Sequence, residues 1–139
     1  MSIRGIGVDI AATGRVLRLY ERYGQRFLAK AYHPSEVRAL AALPAASVGP
    51  FLASRWAAKE ALHKAAQTER FLFPDVEITS APRGSPSLTL HGAAATWAHG
   101  NGFQLHLSLS HEADFAVAFV VISRAQRGAG GGGGEKVSG

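Results

Sequence analysis

The stretch RWAAKEALHKA at residues 55–65 sets Lys59, Glu60 and Lys64 among alanines, Trp56 and Leu62. Residues four apart share one stripe of an α-helix. Leu52, Trp56, Glu60 and Lys64 therefore form one row, Ala53, Ala57 and Ala61 the adjacent row, and Arg55, Lys59 and His63 a third. The alanine row admits close approach of another backbone. Glu60 then lies near a buried boundary, where an ionised carboxylate needs a cation, and a metal ion is one candidate. The plainer reading is a solvated Glu60–Lys64 pair, contributing about 0.2–0.5 kcal/mol. Asp9, at the end of the glycine-flanked GIGVDI at residues 5–10, suits a metal or a substrate. It equally suits the cap of a following helix. His111 ends the alternating LHLSLSH on the face of Leu105, Leu107 and Leu109, opposite His106, Ser108 and Ser110. At a strand end it can meet a phosphate or carry a proton, or it can be structural. His33, His63, His91 and His99 show no recognisable metal-ligand spacing.

The elements that must position these groups follow from periodicity and breakers. Residues 3–10 read as a short strand ending at Asp9. Residues 13–32 read as two short helices broken at Gly24. Pro34 and Glu36 mark the start of a helix that Pro44 closes. A longer helix is expected from Ser47 to about Gln67, with Ser47 as its N-cap and Pro50 in its first turn. Residues 75–81 and 87–91 read as strands joined by the turn at 82–86. A short helix ends at Gly100 and Gly102. The strands at 103–111 and 115–123 form a hairpin. No internal repeat is visible. Residues 1–124 are expected to be one domain, and the glycine-rich 125–139 a flexible tail.

The chain has 139 residues, of which 47% are hydrophobic and 18% charged. That is enough for one domain with a modest core. The formal net charge of +5 favours an acidic partner. The absence of cysteine excludes disulfides, thiolate catalysis and cysteine-based zinc sites. The start lacks the apolar run of a signal peptide, and no stretch has the ~18 apolar residues of a membrane helix. A soluble cytoplasmic protein without a membrane partner is expected.

Taken together and in this order, GIGVDI at 5–10, FLASRWAAKEALHKA at 51–65 and LSLSHEADFAVAFVV at 107–121 resemble the holo-acyl-carrier-protein synthases, the small 4′-phosphopantetheinyl transferases. RF at 26–27 and SE at 35–36 add weaker support, and the likeness spans about residues 3–123. The resemblance implies an α+β fold, with a small antiparallel sheet packed against one long helix, assembled as a homotrimer with sites shared between subunits. It implies transfer of the 4′-phosphopantetheine group of coenzyme A to a serine of an acidic apo acyl carrier protein, releasing adenosine 3′,5′-bisphosphate. The implied cofactor is Mg2+, held by Asp9 and Glu60. Glu60, Lys64 and Asp9 take the catalytic roles, with Glu60 or a metal-bound water that it orients as the base and Lys64 facing the phosphates. Lys59, Arg55 and His111 are further coenzyme A contacts, His111 from the neighbouring subunit. The turn of Arg83, Gly84 and Pro86 joins them. This turn reads Gly-Ser-Pro where the family has a basic central residue, so Arg83 is the candidate substitute. Ala11 stands where some relatives place a third acidic ligand, so a water should complete the magnesium shell. Arg15, Arg22, Arg26 and Phe27 match the carrier-docking region. The competing class is a basic nucleic-acid-binding domain using residues 15–38 with Tyr20, Tyr23 and Phe27. No recognised nucleic-acid motif supports it, and no nucleic-acid partner is expected.

Overall fold

The computed structural model describes residues 1–67 and 69–125. From residue 126 onward, the expected tail lies outside the described residues. The chain runs β1 (Ser2–Ala12), α1 (Thr13–Tyr23), α2 (Gln25–Ala31), α3 (Pro34–Ala39), a 3₁₀ turn (Leu40–Ala42) and α4 (Ala45–Ala66). A second 3₁₀ turn (Phe73–Asp75), β2 (Val76–Ser80), β3 (Pro86–Leu90), α5 (Gly92–Asn101), β4 (Phe103–Glu112) and β5 (Phe115–Arg124) complete it. The expected α+β architecture is present. Its sheet is divided into an antiparallel β1-β5-β4 layer and a separate β2-β3 hairpin.

The first and last strands of the described chain pair with each other, Gly7 opposite Val120 and Asp9 opposite Ala118. One sheet face is buried against α4. Gly5, Gly7 and Ala11 of β1 lie on it, with Ala116, Ala118, Val120 and Ile122 of β5. A Cβ at Gly5 would stand 1.9 Å from the carbonyl oxygen of Ala65, and one at Gly7 2.0 Å from that of Ala61. Only glycine lets the strand backbone rest directly on the helix backbone. The buried Ala57, Ala61 and Ala65 supply the matching small row on α4. This contact determines where Asp9 lies relative to Glu60 and Lys64.

Two boundaries differ from expectation. α4 begins at Ala45 after Pro44, which offers no side-chain cap, so Ser47 is inside the helix and is not its cap. Pro50 then falls beyond the first turn. Its missing N–H frees a carbonyl of the preceding turn, which the exposed Ala46 can present to water. β1 continues past Asp9, because Ile10–Ala12 keep pairing with Val117–Phe115. Ala12 flanks α1, with no side-chain cap, so Asp9 is not a helix cap. Among the described residues no helix is long and apolar enough to cross a membrane.

Candidate active site

β1 and α4 bring Asp9, Glu60 and Lys64 together. Lys64 Nζ donates to Asp9 Oδ1 at 3.0 Å and to the carbonyl oxygen of Val8 at 3.0 Å. The expected solvated Glu60–Lys64 pair is therefore not what α4 makes. Its lysine reaches across to β1 instead, because the glycines hold the strand close. Among the described residues Glu60 has no ion-pair partner. Glu60 and Asp9 line one cleft of about 240 Å³ with Ala11, Arg15, Leu19 and Trp56. The lysine side chain is 54% exposed, and two of its three donors are engaged, leaving one for a ligand. Two hard carboxylates from different elements, beside an available ammonium, are a donor set suited to Mg2+ and phosphate oxygens.

The opposite side of α4 is built differently, and Lys59 belongs to it. Its ammonium is fully buried, 2.8 Å from Glu36 Oε1, and it also donates to the carbonyls of Phe73 (3.0 Å) and Val76. Burial pushes its pKa down, and the Glu36 carboxylate opposes that shift. Glu36 also accepts from the backbone N–H groups of His33 (2.8 Å) and Ile78 (3.2 Å). The expected phosphate contact by Lys59 is thus corrected. All three ammonium donors are spent inside the protein, tying α4 to α3 and β2. Arg55 shares that row. Its guanidinium stacks 3.9 Å over Phe51 and its Nη1 donates to Ser54 Oγ at 3.1 Å. Burial lowers its pKa, and it too lies away from the cleft lining.

Arg15, Arg22 and Arg26 are exposed along α1 and α2, and Arg15 reaches the cleft. Phe27 is corrected from a docking contact to a core residue. It is 8% exposed, and its ring packs on Tyr32 and Trp56 at centroid distances of 5.6 and 5.9 Å. Its burial also removes one aromatic from any base-stacking array. A second, apolar trough of about 380 Å³ contains Leu19, Tyr23, Arg26, Phe27 and Trp56. It shares Leu19 and Trp56 with the carboxylate cleft. Sequence reasoning missed this trough, although Leu19 and Trp56 were both visible as apolar helical positions.

The remaining expected contacts are not part of this cleft. His111 is exposed and pairs with Ala116, which in turn pairs with Ala11. It therefore lies two strands from β1, roughly 10 Å across the sheet. Arg83 and Gly84 are exposed at the β2-β3 turn, with Pro86 opening β3. None of the four lines the Asp9–Glu60 cleft.

With that geometry in place, the comparisons assign the class. Residues 5–120 match the 4′-phosphopantetheinyl transferase superfamily, and the chain belongs to that family. Within it, the chain is 43% identical to the holo-[acyl-carrier-protein] synthase of Halorhodospira halophila, covering 86% of this chain and 97% of that protein. It is 40% identical to that of Halothermothrix orenii, covering 86% and 96%. The crystal structure of the Neisseria meningitidis synthase superposes with a TM-score of 0.81 at 32% identity, over 88% of this chain and 100% of that one. The Bacillus anthracis synthase in complex with coenzyme A (3′,5′-ADP) superposes at 0.74, with 31% identity over 88% and 98%.

Proposed function

We propose that this chain is a holo-[acyl-carrier-protein] synthase, transferring 4′-phosphopantetheine from coenzyme A to a serine of an apo acyl carrier protein. The observation that carries the reading is that Asp9 and Glu60 line one cleft while Asp9 also accepts from Lys64, in a chain of this family. In the reaction the serine Oγ forms a bond to the pantetheine-side phosphorus of the pyrophosphate. The bond from that phosphorus to the bridging oxygen breaks, and adenosine 3′,5′-bisphosphate leaves.

Glu60 accepts the serine proton, directly or through one water, since no internal cation engages its carboxylate among the described residues. Lys64 directs its remaining donor at the phosphate oxygens and stabilises the charge that grows on the leaving bisphosphate. Asp9 holds Lys64 in place and, with Glu60, forms the magnesium site. When bound there, Mg2+ neutralises pyrophosphate charge during attack. Ala11 would offer no ligand to that site. Arg15, Arg22 and Arg26 steer an acidic carrier protein to the cleft.

The assembly is a homotrimer. The outer face of the β1-β5-β4 sheet exposes Ile6 (56%), Val8 (51%), Ile10 (63%), Phe115 (49%) and Phe119 (42%). Val8 pairs with Phe119 and Ile10 with Val117, so these residues form a continuous patch of the kind that a partner covers. Copies of this chain arranged in a closed ring would bury it. They would also bring His111, Arg83, Gly84 and Pro86 of one subunit to the coenzyme A bound by the next.

Intact-mass spectrometry of an apo acyl carrier protein incubated with the chain, coenzyme A and Mg2+ tests the reading. The expected result is a gain of one phosphopantetheine arm, abolished by EDTA and restored by Mg2+. No gain across several carriers overturns the transfer. A gain that survives EDTA overturns the magnesium role alone.

A further inference from the structure

The β2-β3 hairpin stands outside the main sheet, and a two-stranded hairpin by itself is only marginally stable in water. Its turn is held from within. Thr79 Oγ1 and Ser87 Oγ are 2.9 Å apart. The Ala81 N–H donates to the Ser85 carbonyl at 2.8 Å, and the Gly84 N–H to the Ala81 carbonyl at 2.7 Å. Where this turn points is therefore set at the base of the hairpin. There Val76, Ile78 and Leu88 are buried, and Glu77 lies opposite Thr89.

The Glu77 carboxylate joins three segments whose spacing carries no signal in the sequence. Ser35 of α3 donates its hydroxyl to Oε2. His91, which immediately follows β3, has its Nε2 3.0 Å from Oε1. An ionised carboxylate only accepts, so His91 Nε2 carries the proton of that bond. His33 Nδ1 accepts the Ser35 N–H at 3.1 Å. The His33 ring stacks on that of His91 at a centroid distance of 4.4 Å, with planes 18° apart. Burial by itself would raise the Glu77 pKa. The Ser35 and His91 hydrogen bonds and the nearby imidazoles outweigh it and hold the carboxyl below its usual range. Hydrogen bonds to a charged carboxylate are about twice as strong as neutral ones. The adjacent Glu36 accepts from the Ile78 N–H at 3.2 Å and from Lys59 at 2.8 Å, so the α3 side of this clasp is itself anchored to α4. Glu77 thus fastens both strands of the hairpin to a fixed part of the core.

We propose that Glu77 is a positioning residue, whose clasp by Ser35 and His91 aims the 82–86 turn, and with it the Arg83 guanidinium, at the coenzyme A of the neighbouring subunit. The inference rests on the reading in which that turn meets the next subunit's coenzyme A, and adds what holds it in place. Glu77 does not line the Asp9–Glu60 cleft, so its effect reaches the reaction through the turn. Ser80 ends β2 three residues beyond Glu77, which puts the start of the turn roughly 10 Å from the clasp. On a lever of that length a tilt of about 10° carries the turn about 2 Å sideways. Misplacing a positioning contact by about 1 Å can cost as much as about 10²-fold.

The test is a double-mutant cycle in the full chain that pairs Glu77→Gln with Arg83→Ala. It is read by calorimetric affinity for coenzyme A and by the kcat and KM of transfer. Glu77→Gln keeps the side-chain shape and removes the charge. It should weaken coenzyme A binding by about tenfold and raise the coenzyme A KM in step, with kcat at saturating coenzyme A retained. Arg83→Ala should also weaken coenzyme A binding. The double variant should lose far less than the product of the two single losses, because a turn without its guanidinium has little left to misdirect. Ser35→Ala removes the donor on the α3 side and should reproduce the Glu77→Gln pattern. In both clasp variants amide exchange across β2 and β3 should accelerate while α4 keeps its protection. Wild-type affinity in Glu77→Gln and Ser35→Ala overturns the proposal, as does unchanged affinity in Arg83→Ala. Losses that multiply fully in the double variant, that fall on kcat, or that follow the unfolded fraction overturn it as well. The wild type's own coenzyme A affinity and transfer test the transferase reading, whereas only the differences among variants test the clasp, so the two can fail separately.

Discussion

α4 carries two lysine–carboxylate pairs on its two sides, and they are opposites. Lys59 and Glu36 are 2.8 Å apart with side chains 0% and 1% exposed. Lys64 and Asp9 are 3.0 Å apart with side chains 54% and 16% exposed. In the closed pair every ammonium donor ends on a protein acceptor, so the charge is structural and unavailable to a substrate. In the open pair a donor is left over, and its Asp9 partner shares a cleft with Glu60, which has no ion-pair partner among the described residues. Nearly the same chemistry serves packing on one side of the helix and, in the proposed reaction, phosphate handling on the other. Solvent access and spare hydrogen-bonding capacity make the difference.

The largest effects are expected on the open side. Glu60→Gln should lower turnover by about 10²–10⁴-fold, the range expected for a lost general base, with the denaturation midpoint almost unchanged. Wild-type turnover in that variant would remove Glu60 from the mechanism. Lys64→Ala should also impair transfer, yet cost at most about 1 kcal/mol of stability because its ion pair is exposed. The closed side should respond in the reverse sense. Lys59→Ala leaves Glu36 buried and unpaired, at a cost of about 3–5 kcal/mol in urea unfolding. Any lost activity should track the unfolded fraction.

A smaller effect should couple the two sides. Gly7→Ala drives a methyl into the Ala61 carbonyl oxygen. Overpacking of this kind costs about 1–3 kcal/mol, and the resulting displacement of β1 from α4 should lower turnover by more than the lost stability explains. The smallest effect is a pH dependence. His63, on the Lys59 row, accepts the Phe71 N–H at 3.2 Å, and burial lowers its pKa. The unfolded chain then binds this proton more readily than the folded one. Stability should fall as pH drops below about 6.5, the ordinary histidine value, and level off beneath the depressed folded pKa. His63→Gln should flatten that part of the pH–stability curve, as read by the difference between the two proteins' urea midpoints.

The order of helices and strands was legible in the chain, because Gly24, Pro34, Pro44 and the turns punctuate clear periodicities. The exceptions were boundaries set by pairing, such as the continuation of β1 beyond Asp9. Asp9, Glu60 and Lys64 were also legible as candidates, since their row on α4 and the glycine-flanked strand are local patterns. The role of Lys59 was not, because Lys59 and Lys64 look alike in a one-dimensional helix and differ only in what packs against them. Phe27 was misplaced for the same reason. Its neighbour Arg26 is exposed, and only the packing of Trp56 and Tyr32 turns the ring inward.

What the sequence determined by itself is thus what short-range rules govern: periodicity, breakers, the alanine row and the identity of the chemically capable residues. Tertiary structure decided which lysine is spent and which is available, how β1 and α4 complete one cleft, and that His33, Glu77 and His91 meet. The physical reason is that desolvation and hydrogen-bond partnership depend on segments distant in the chain. A side chain's charge is written in its residue type, but its availability is settled only by what surrounds it.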